Sequence, residues 1–383
     1  MRRLVLGLLI AIAVGGLVWW VTRRPQPPAA NGSLELAPAT EPTFARALTP
    51  RAFHFPEDHG PHLDFQTEWW YYTGNLETAE GRHFGYQLTF FRRGLDPRQE
   101  ARRADMSTAN IYFAHFAVTD VQGQSHPFAE RFSRGAGGLA GASGSPFHVW
   151  LEDWSVESLG SDGSSVRLVA SDGTWRLNLT LRATKPIVAH GDVGLSAKSD
   201  QPGNASYYLS YTRLDTTGAL THDGSDIPVA GQSWFDHEWS TSALGAQAVG
   251  WDWYSLQLSD GRDLMLFRIR NADGTIDSVS GGTLVEADGT FQHLRSTDVT
   301  IDVLEHWRST ESGGTYPSRW RLQLPSEGID LTLAPWLSDQ ELRVSFPYWE
   351  GAVRITGTID GREVTGNGYV ELTGYVRSMQ GVF

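Results

Sequence analysis

The sequence predicts an all-β protein built from antiparallel sheet, and three observations carry that prediction. Segments such as Arg176–Arg182 (RLNLTLR), Trp320–Leu324 (WRLQL) and Val353–Thr356 (VRIT) alternate apolar and polar residues with a period of two. Such alternation puts one face of a strand on a core and the other in water. Asp-Gly pairs punctuate the chain at Asp162-Gly163, Asp172-Gly173, Asp223-Gly224, Asp260-Gly261, Asp273-Gly274, Asp288-Gly289 and Asp360-Gly361. Both residues tolerate the positive φ that tight hairpins need. No stretch of the globular part carries the 3.6-residue periodicity of a long amphipathic helix. Many short strands joined by hairpins make a sheet that is closed or sandwiched.

The chain starts differently. Met1–Arg3 is basic, and Leu4–Val21 is an apolar run of about 18 residues, close to the minimum for a bilayer span. Trp19 and Trp20 stand at its end, where an interfacial aromatic belt would lie. Residues 1–24 therefore read as a signal anchor or signal peptide, the anchor being favoured because a cleaved leader has a shorter apolar region and Ala11-Ile12-Ala13 is a poor cleavage site, with apolar sequence continuing past it. Residues 25–50, rich in Pro, Ala, Thr and Ser, read as a linker. These features place the protein in the cell envelope, on the extracytoplasmic face, tethered to the membrane or secreted.

From residue 51 the chain has length for two units, 51–240 and 241–383. Its 383 residues include no cysteine, which excludes disulfides, thiolate metal sites and a cysteine nucleophile. The formal net charge of −13 repels phosphate backbones, so no nucleic-acid partner is expected. Aromatics usually serve core packing, but 15 Trp, often adjacent to acids, with 17 Phe and 12 Tyr beside them, leave room for a lined cavity. The Gly-, Ala- and Ser-rich segment Gly135–Gly144 reads as a loop. A nucleophile elbow, a P-loop and a dinucleotide fingerprint are missing, and His237-Glu238 lacks the second histidine of the zincin pattern.

Four aromatic and acidic motifs remain. In Thr67–Thr73, a strand puts Glu68, Trp70 and Tyr72 on one face and Trp69 and Tyr71 on the other. A carboxyl among aromatics is desolvated and suits a general acid, or it accepts a hydrogen bond from a buried ring. Upstream, His59, His62 and Asp64 are weakly spaced for a metal, and none is assigned. In Ser233–Trp239, Trp234, Asp236 and Glu238 share one face, and Phe235, His237 and Trp239 the other. Flanking acids fix a histidine's tautomer, or the group is a buried polar lock. In Gly250–Tyr254, Asp252 and Tyr254 lie opposite Trp251 and Trp253. Tyr348–Gly351 and Gly368–Tyr375 read as late strands with structural acids.

Taken together, EWWYYTGNL (Glu68–Leu76), SWFDHEW (Ser233–Trp239), GWDWYSLQLSDGRDLM (Gly250–Met265), YWEGAV (Tyr348–Val353) and GYVELTGY (Gly368–Tyr375) resemble the hydroxyneurosporene synthase, or carotenoid 1,2-hydratase, family, and more closely its AttH-like branch. The resemblance runs in order from Phe53 to the C-terminus. It implies two lipocalin-like antiparallel β-barrel domains, here following an N-terminal hydrophobic helix, and a hydrophobic, isoprenoid- or lipid-like ligand. It also implies acid-catalysed hydration of a carbon–carbon double bond. For that reaction Asp236 or Asp252 would be the acid, with His237 orienting water. Glu68, Trp70, Tyr72, Trp234, Glu238, Trp239, Trp251 and Tyr254 would bind substrate. Hydration implies no cofactor and no metal. The alternative is a non-enzymatic carrier of a lipophilic ligand that works with an ABC-type export system at the membrane.

Overall fold

The computed structural model describes residues 43–97, 109–241 and 244–381. The apolar run Leu4–Val21 and most of the linker lie outside these residues. Among the described residues no helix is long and apolar enough to cross a membrane. The helical elements there are single 3-10 turns such as Glu57–His59, and strands make up the rest of the regular structure.

The first sheet contains β1 (Thr67–Glu77), β2 (His83–Gly94), β3 (Asn110–Asp120), β4 (Phe128–Ser133), β5 (Ala140–Gly144), β6 (Phe147–Leu151), β7 (Trp154–Ser158), β8 (Ser165–Ser171), β9 (Trp175–Ala183), β10 (Val188–Ala189), β11 (Leu195–Ala197), β12 (Ala205–His222) and β13 (Ser225–Ser240). Its main path runs β4-β3-β2-β1-β13-β12-β9-β8-β7-β6-β5. The second sheet contains β14 (Ala248–Leu258), β15 (Asp263–Asn271), β16 (Gly281–Val285), β17 (Phe291–Arg295), β18 (Thr300–Arg308), β19 (Thr315–Leu324), β20 (Ile329–Pro335), β21 (Glu341–Leu342), β22 (Tyr348–Ile359) and β23 (Arg362–Leu372). Its path runs β17-β16-β15-β14-β23-β22-β20-β19-β18.

All pairings within named strands are antiparallel, and each predicted Asp-Gly pair sits at a turn between consecutive strands. All seven glycines of those pairs have positive φ. At Asp223-Gly224 and Asp360-Gly361 the aspartate does too, the two-residue turn whose twist matches the flanking strands. Gly135–Gly144, expected to be a loop, instead supplies a 3-10 turn and the edge strand β5.

The first sheet curls into a nearly closed barrel and the second into a half-barrel. Alternation explains both interiors. In β9, Trp175, Leu177, Leu179 and Leu181 point inward and Arg176, Asn178, Thr180 and Arg182 outward. In β19, Trp320, Leu322 and Leu324 fill the half-barrel. These interiors are filled with aromatic and branched aliphatic side chains.

The motif strands do not alternate in burial. β1, the second half of β13 and most of β14 are buried on both faces. One face meets its own barrel core. The other meets the opposite sheet through Tyr71, Tyr208, Trp234, Trp253, Met265, Ala352 and Tyr369. The two sheets are therefore packed outer face to outer face at this junction. A bulge between Tyr211 and Leu214 turns Thr212 and Arg213 toward the second sheet. There Asp263 accepts from Thr212 Oγ1 at 2.9 Å and Arg213 at 2.6 Å, and pairs with Lys185 at 2.7 Å.

A second ionic centre closes one end of the barrel. Glu68 is fully buried with Arg92 Nε at 2.9 Å, His62 Nδ1 at 2.8 Å and His237 Nε2 at 2.9 Å. Burial pushes the Glu68 carboxyl up, but the Arg92 charge and the His237 and His62 hydrogen bonds outweigh it and hold it below the usual carboxylate range. Arg92 also donates to the carbonyls of His62 and Phe65 at 2.8 Å each, pinning the entering segment to β2. Removing Arg92 leaves Glu68 charged and short of its strongest partner. Arg92→Met should lower the unfolding free energy by about 3–5 kcal/mol in urea titrations. A loss within experimental error would show that the centre is not structural.

Candidate functional site

The strand parity read from the sequence decides which side chains can meet. On β13, Trp234, Asp236 and Glu238 face the second sheet, while Phe235 enters the first core. On β14, Trp251 and Trp253 face the first sheet, while Tyr254 enters the half-barrel core. Between the sheets these faces enclose about 90 Å³ of water-sized space, room for several waters or for one end of a larger ligand. Trp69, Tyr71, Phe91, Tyr208, Asp236, Glu238 and Lys198 form one wall. Trp251, Trp253, Phe267, Tyr348 and Glu371 form the other.

Asp236 is held by three donors. Ser210 Oγ and Trp234 Nε1 donate to its Oδ1, the latter at 2.6 Å, and Tyr208 OH donates to Oδ2 at 2.6 Å. Tyr208 in turn accepts from Trp253 Nε1 at 2.9 Å, so the support crosses the junction. Burial pushes the Asp236 carboxyl up to about 7. The three hydrogen bonds oppose the shift, and the neighbouring Glu238 charge adds to it. Glu238 is paired with Lys198 at 2.7 Å.

Glu371 is also raised to about 7, by burial first and then by the charges of Asp236 and Glu238. Trp251 Nε1 donates to it at 2.7 Å. Glu350 stands directly opposite Glu371 across β22 and β23 and accepts from Tyr71 OH at 2.6 Å. Burial and the Glu371 charge push its carboxyl well above the usual range. Like carboxyls this close cannot all ionise near neutrality.

Other predicted residues lie elsewhere. Asp252 is on the inner face of the second sheet, with Arg270 Nε at 2.8 Å and Tyr375 OH at 3.0 Å, so it does not reach the cavity. His237 points the opposite way from Asp236, onto Glu68, with Trp70 stacked 5.1 Å away. Trp239 stacks on His62 at 3.7 Å, beneath the segment that caps the barrel. Glu68, Trp70 and Tyr72 face the barrel interior; it is Trp69 and Tyr71 that line the cavity. Of the predicted set, the structure thus gathers Asp236, Glu238 and Trp251 at the cavity, with Trp234 bonded to Asp236. Glu371, Tyr208 and Lys198 join them, with Glu350 beside Glu371, without having been singled out as site residues. For Glu350 and Glu371 a signal existed, since each sits on a both-sides-apolar strand among aromatics.

His59, His62 and Asp64 do not converge. His59 packs against Phe147 and Tyr211, and Asp64 is exposed. His62, Glu68 and His237 do bring donor atoms within 4.8 Å of one another. Those atoms already bond to each other, and a divalent ion there would sit against the Arg92 guanidinium. The arrangement fits an ion-pair network better than a metal centre.

Residues 46–375 match the AttH-like family, and the chain belongs to it. A crystal structure of an AttH-type protein from Nitrosomonas europaea superposes with a TM-score of 0.77 at 33% identity, covering 87% of this chain and 100% of that one. Kievitone hydratase of Fusarium solani subsp. phaseoli is 24% identical over 240 residues, 60% of this chain and 66% of that protein. The crystal structure of kievitone hydratase from Nectria haematococca shares the fold, with a TM-score of 0.67 at 16% identity over 87% of this chain and 98% of that one.

The Asp236 shift has a consequence for stability. Between its ordinary value of 3.8 and about 7, the folded chain keeps a proton that the unfolded chain has released. Its contribution to stability therefore falls as pH rises through that window and levels off above it. Asp236→Asn should make the stability profile less steep there, by on the order of 1 kcal/mol per pH unit, in urea unfolding at a series of pH values. Parallel profiles would mean that Asp236 titrates normally.

Proposed function

We propose that this AttH-like protein is a hydratase that adds water across a carbon–carbon double bond at one end of a hydrophobic, isoprenoid-like substrate. The observation that supports it is a pair of buried carboxyls, Asp236 and Glu371, both raised to about 7 within a cavity walled by tryptophans. Addition of water to a substituted alkene begins with protonation of the less substituted carbon. That step needs a carboxyl that is neutral near neutral pH, which desolvation supplies.

The two acids are held differently, and the difference assigns their roles. Three donors reach Asp236, which favours its carboxylate, whereas one reaches Glu371. The shared proton therefore rests on Glu371. Glu371 gives it to the alkene, and the tertiary carbocation is stabilised by the electron-rich faces of Trp251, Trp253 and Trp69. Asp236 takes a proton from the attacking water as the carbon–oxygen bond forms. Return of that proton to Glu371 resets the site, so alkene and water are converted to alcohol with no net proton exchange. The AttH-like fold is also that of a kievitone hydratase, which supports this reading. The Trp- and Phe-rich walls suit a carotenoid end, a shorter isoprenoid or kievitone itself.

Kievitone and linear isoprenoid alkenes, incubated with the protein in oxygen-18 water, should gain one water carrying the heavy isotope. Glu371→Gln should lower kcat by about 10²–10⁴-fold with KM little changed. Asp252→Asn, on the far face of its strand, should retain most activity. Activity lost in Asp252→Asn but kept in Glu371→Gln would contradict the assignment, and tight binding of unchanged alkene without turnover would favour a carrier. With one proton shared by the pair, kcat/KM should peak near neutral pH. It falls in acid as Asp236 protonates and in base as Glu371 ionises.

A further inference from the structure

The hydrogen bonds to Asp236 differ in what stands behind them. Trp234 Nε1 donates and cannot accept, so a proton path through it ends there. Tyr208 OH accepts from Trp253 Nε1, which ends that branch in the same way. The Ser210 branch continues. Ser210 Oγ donates to Asp236 Oδ1 and lies 2.8 Å from Nε2 of His190. Nδ1 of the same ring lies 2.8 Å from Thr283 Oγ1. Thr283 Oγ1 lies 3.3 Å from Nδ1 of His293, which stands directly opposite it across β16 and β17. Ser210, His190 and Thr283 are buried, and His293 is exposed. The row thus runs from the cavity acid, across the junction from the first sheet to the second, and out to the surface. Each link in it is a hydroxyl or an imidazole, a group that both donates and accepts.

The proton positions follow from the acid end of the row. Ionised Asp236 only accepts, so Ser210 donates to it. The Ser210 oxygen then accepts from His190 Nε2–H, which leaves Nδ1 of the neutral ring to accept from the Thr283 hydroxyl. The Thr283 oxygen accepts from His293 Nδ1–H. All four bonds point toward Asp236. Burial, with the charges of His293 and Lys198 added, pushes His190 well below the ordinary histidine range. The ring therefore stays neutral and keeps one donor and one acceptor.

We propose that Ser210, His190, Thr283 and His293 form a proton relay through which Asp236 exchanges protons with solvent from behind the cavity. On the inward stroke His293 takes a proton from water at Nε2 and gives the one on Nδ1 to Thr283. Thr283 gives its hydroxyl proton to His190 Nδ1, His190 gives the one on Nε2 to Ser210, and Ser210 gives its own to Asp236. Each link gains one proton and loses one, and every bond in the row reverses. The outward stroke runs the same steps backward. An apolar occupant of the cavity would exclude water from the front of Asp236 and leave this path open. The inference concerns the protonation of Asp236 and does not depend on alkene turnover. The groups that face the row are Tyr208, its ring centre 4.4 Å from that of His190, Lys198, paired with Glu238, and Asp192, whose charge acts on His293.

Nitrogen-15 NMR of the histidines in the full chain, followed through a pH titration, tests the relay. Above the Asp236 midpoint of about 7, His190 should carry its proton on Nε2, and below it on Nδ1. The change should share the Asp236 midpoint and vanish in Asp236→Asn. A His190 ring that keeps one tautomer while Asp236 titrates would overturn the proposal and make the row a static polar lock. Thr283→Val interrupts the row, and His293→Gln keeps a side-chain donor that cannot pass a proton on. Each should slow exchange of the His190 ring proton with water by about tenfold or more, because exchange then waits on local opening. His293 lies at the surface, so its variant keeps the test decisive if Thr283→Val does not fold. Unchanged exchange in His293→Gln would also overturn the relay. Neither readout needs turnover, so a failed hydration assay with both effects intact would remove the hydratase reading and leave the relay standing.

Discussion

The hydrogen bond that Trp253 donates across the sheet junction to Tyr208, and that Tyr208 passes on to Asp236, is the contact on which the rest of the site depends. A carboxyl buried between two sheets costs several kcal/mol unless its oxygens are satisfied. Asp236 meets that requirement with donors from its own strand, from β12 and, at one remove, from the second sheet. Because one donor chain spans both sheets, their relative position sets the acid's environment. The same junction brings Glu371 and Glu350 near it, and burial, with their mutual repulsion added, explains why protons persist there at neutral pH.

This also accounts for where the ligand space is. The barrel interior is filled by Trp70, Trp154, Trp175 and a leucine ladder. Trp320 and Trp349 sit in the half-barrel interior. The outer faces of β1, β13 and β14 are instead lined with aromatics that would be a liability in water. Packing them against each other buries them and leaves a seam, and the seam is the cavity.

Much of this was legible in the sequence, for reasons that can be named. Strict alternation in Arg176–Arg182 and Trp320–Leu324 reports a strand with one wet face, and the Asp-Gly turns report the hairpins. Parity within SWFDHEW separates Asp236 from His237 before any coordinates. Parity alone does not say which face meets a cavity. On a strand wet on one side, polarity supplies the answer. On β1 and β14 both faces are buried and both carry aromatics and acids, so that cue vanishes. Glu68, Trp70 and Tyr72 therefore read as a cavity wall as readily as Trp69 and Tyr71. Asp252 and His237 looked like catalytic groups because an acid or histidine between aromatics is equally the mark of a buried ion pair. Arg270, which pairs with Asp252, and Glu68, which pairs with His237, lie many residues away in sequence. Glu371 and Glu350 read as structural because each motif shows one acid alone. Their opposition across β22 and β23 exists only in the folded register.

The central claim is that two carboxyls at the junction share a proton near neutral pH. Carbon-13 NMR of side-chain carboxyls in labelled protein, followed through a pH titration, tests it directly. The account predicts two coupled resonances with midpoints near 7, one lost in Asp236→Asn and the other in Glu371→Gln, each substitution lowering the midpoint of the survivor. Both resonances titrating independently in the ordinary carboxylate range would contradict it.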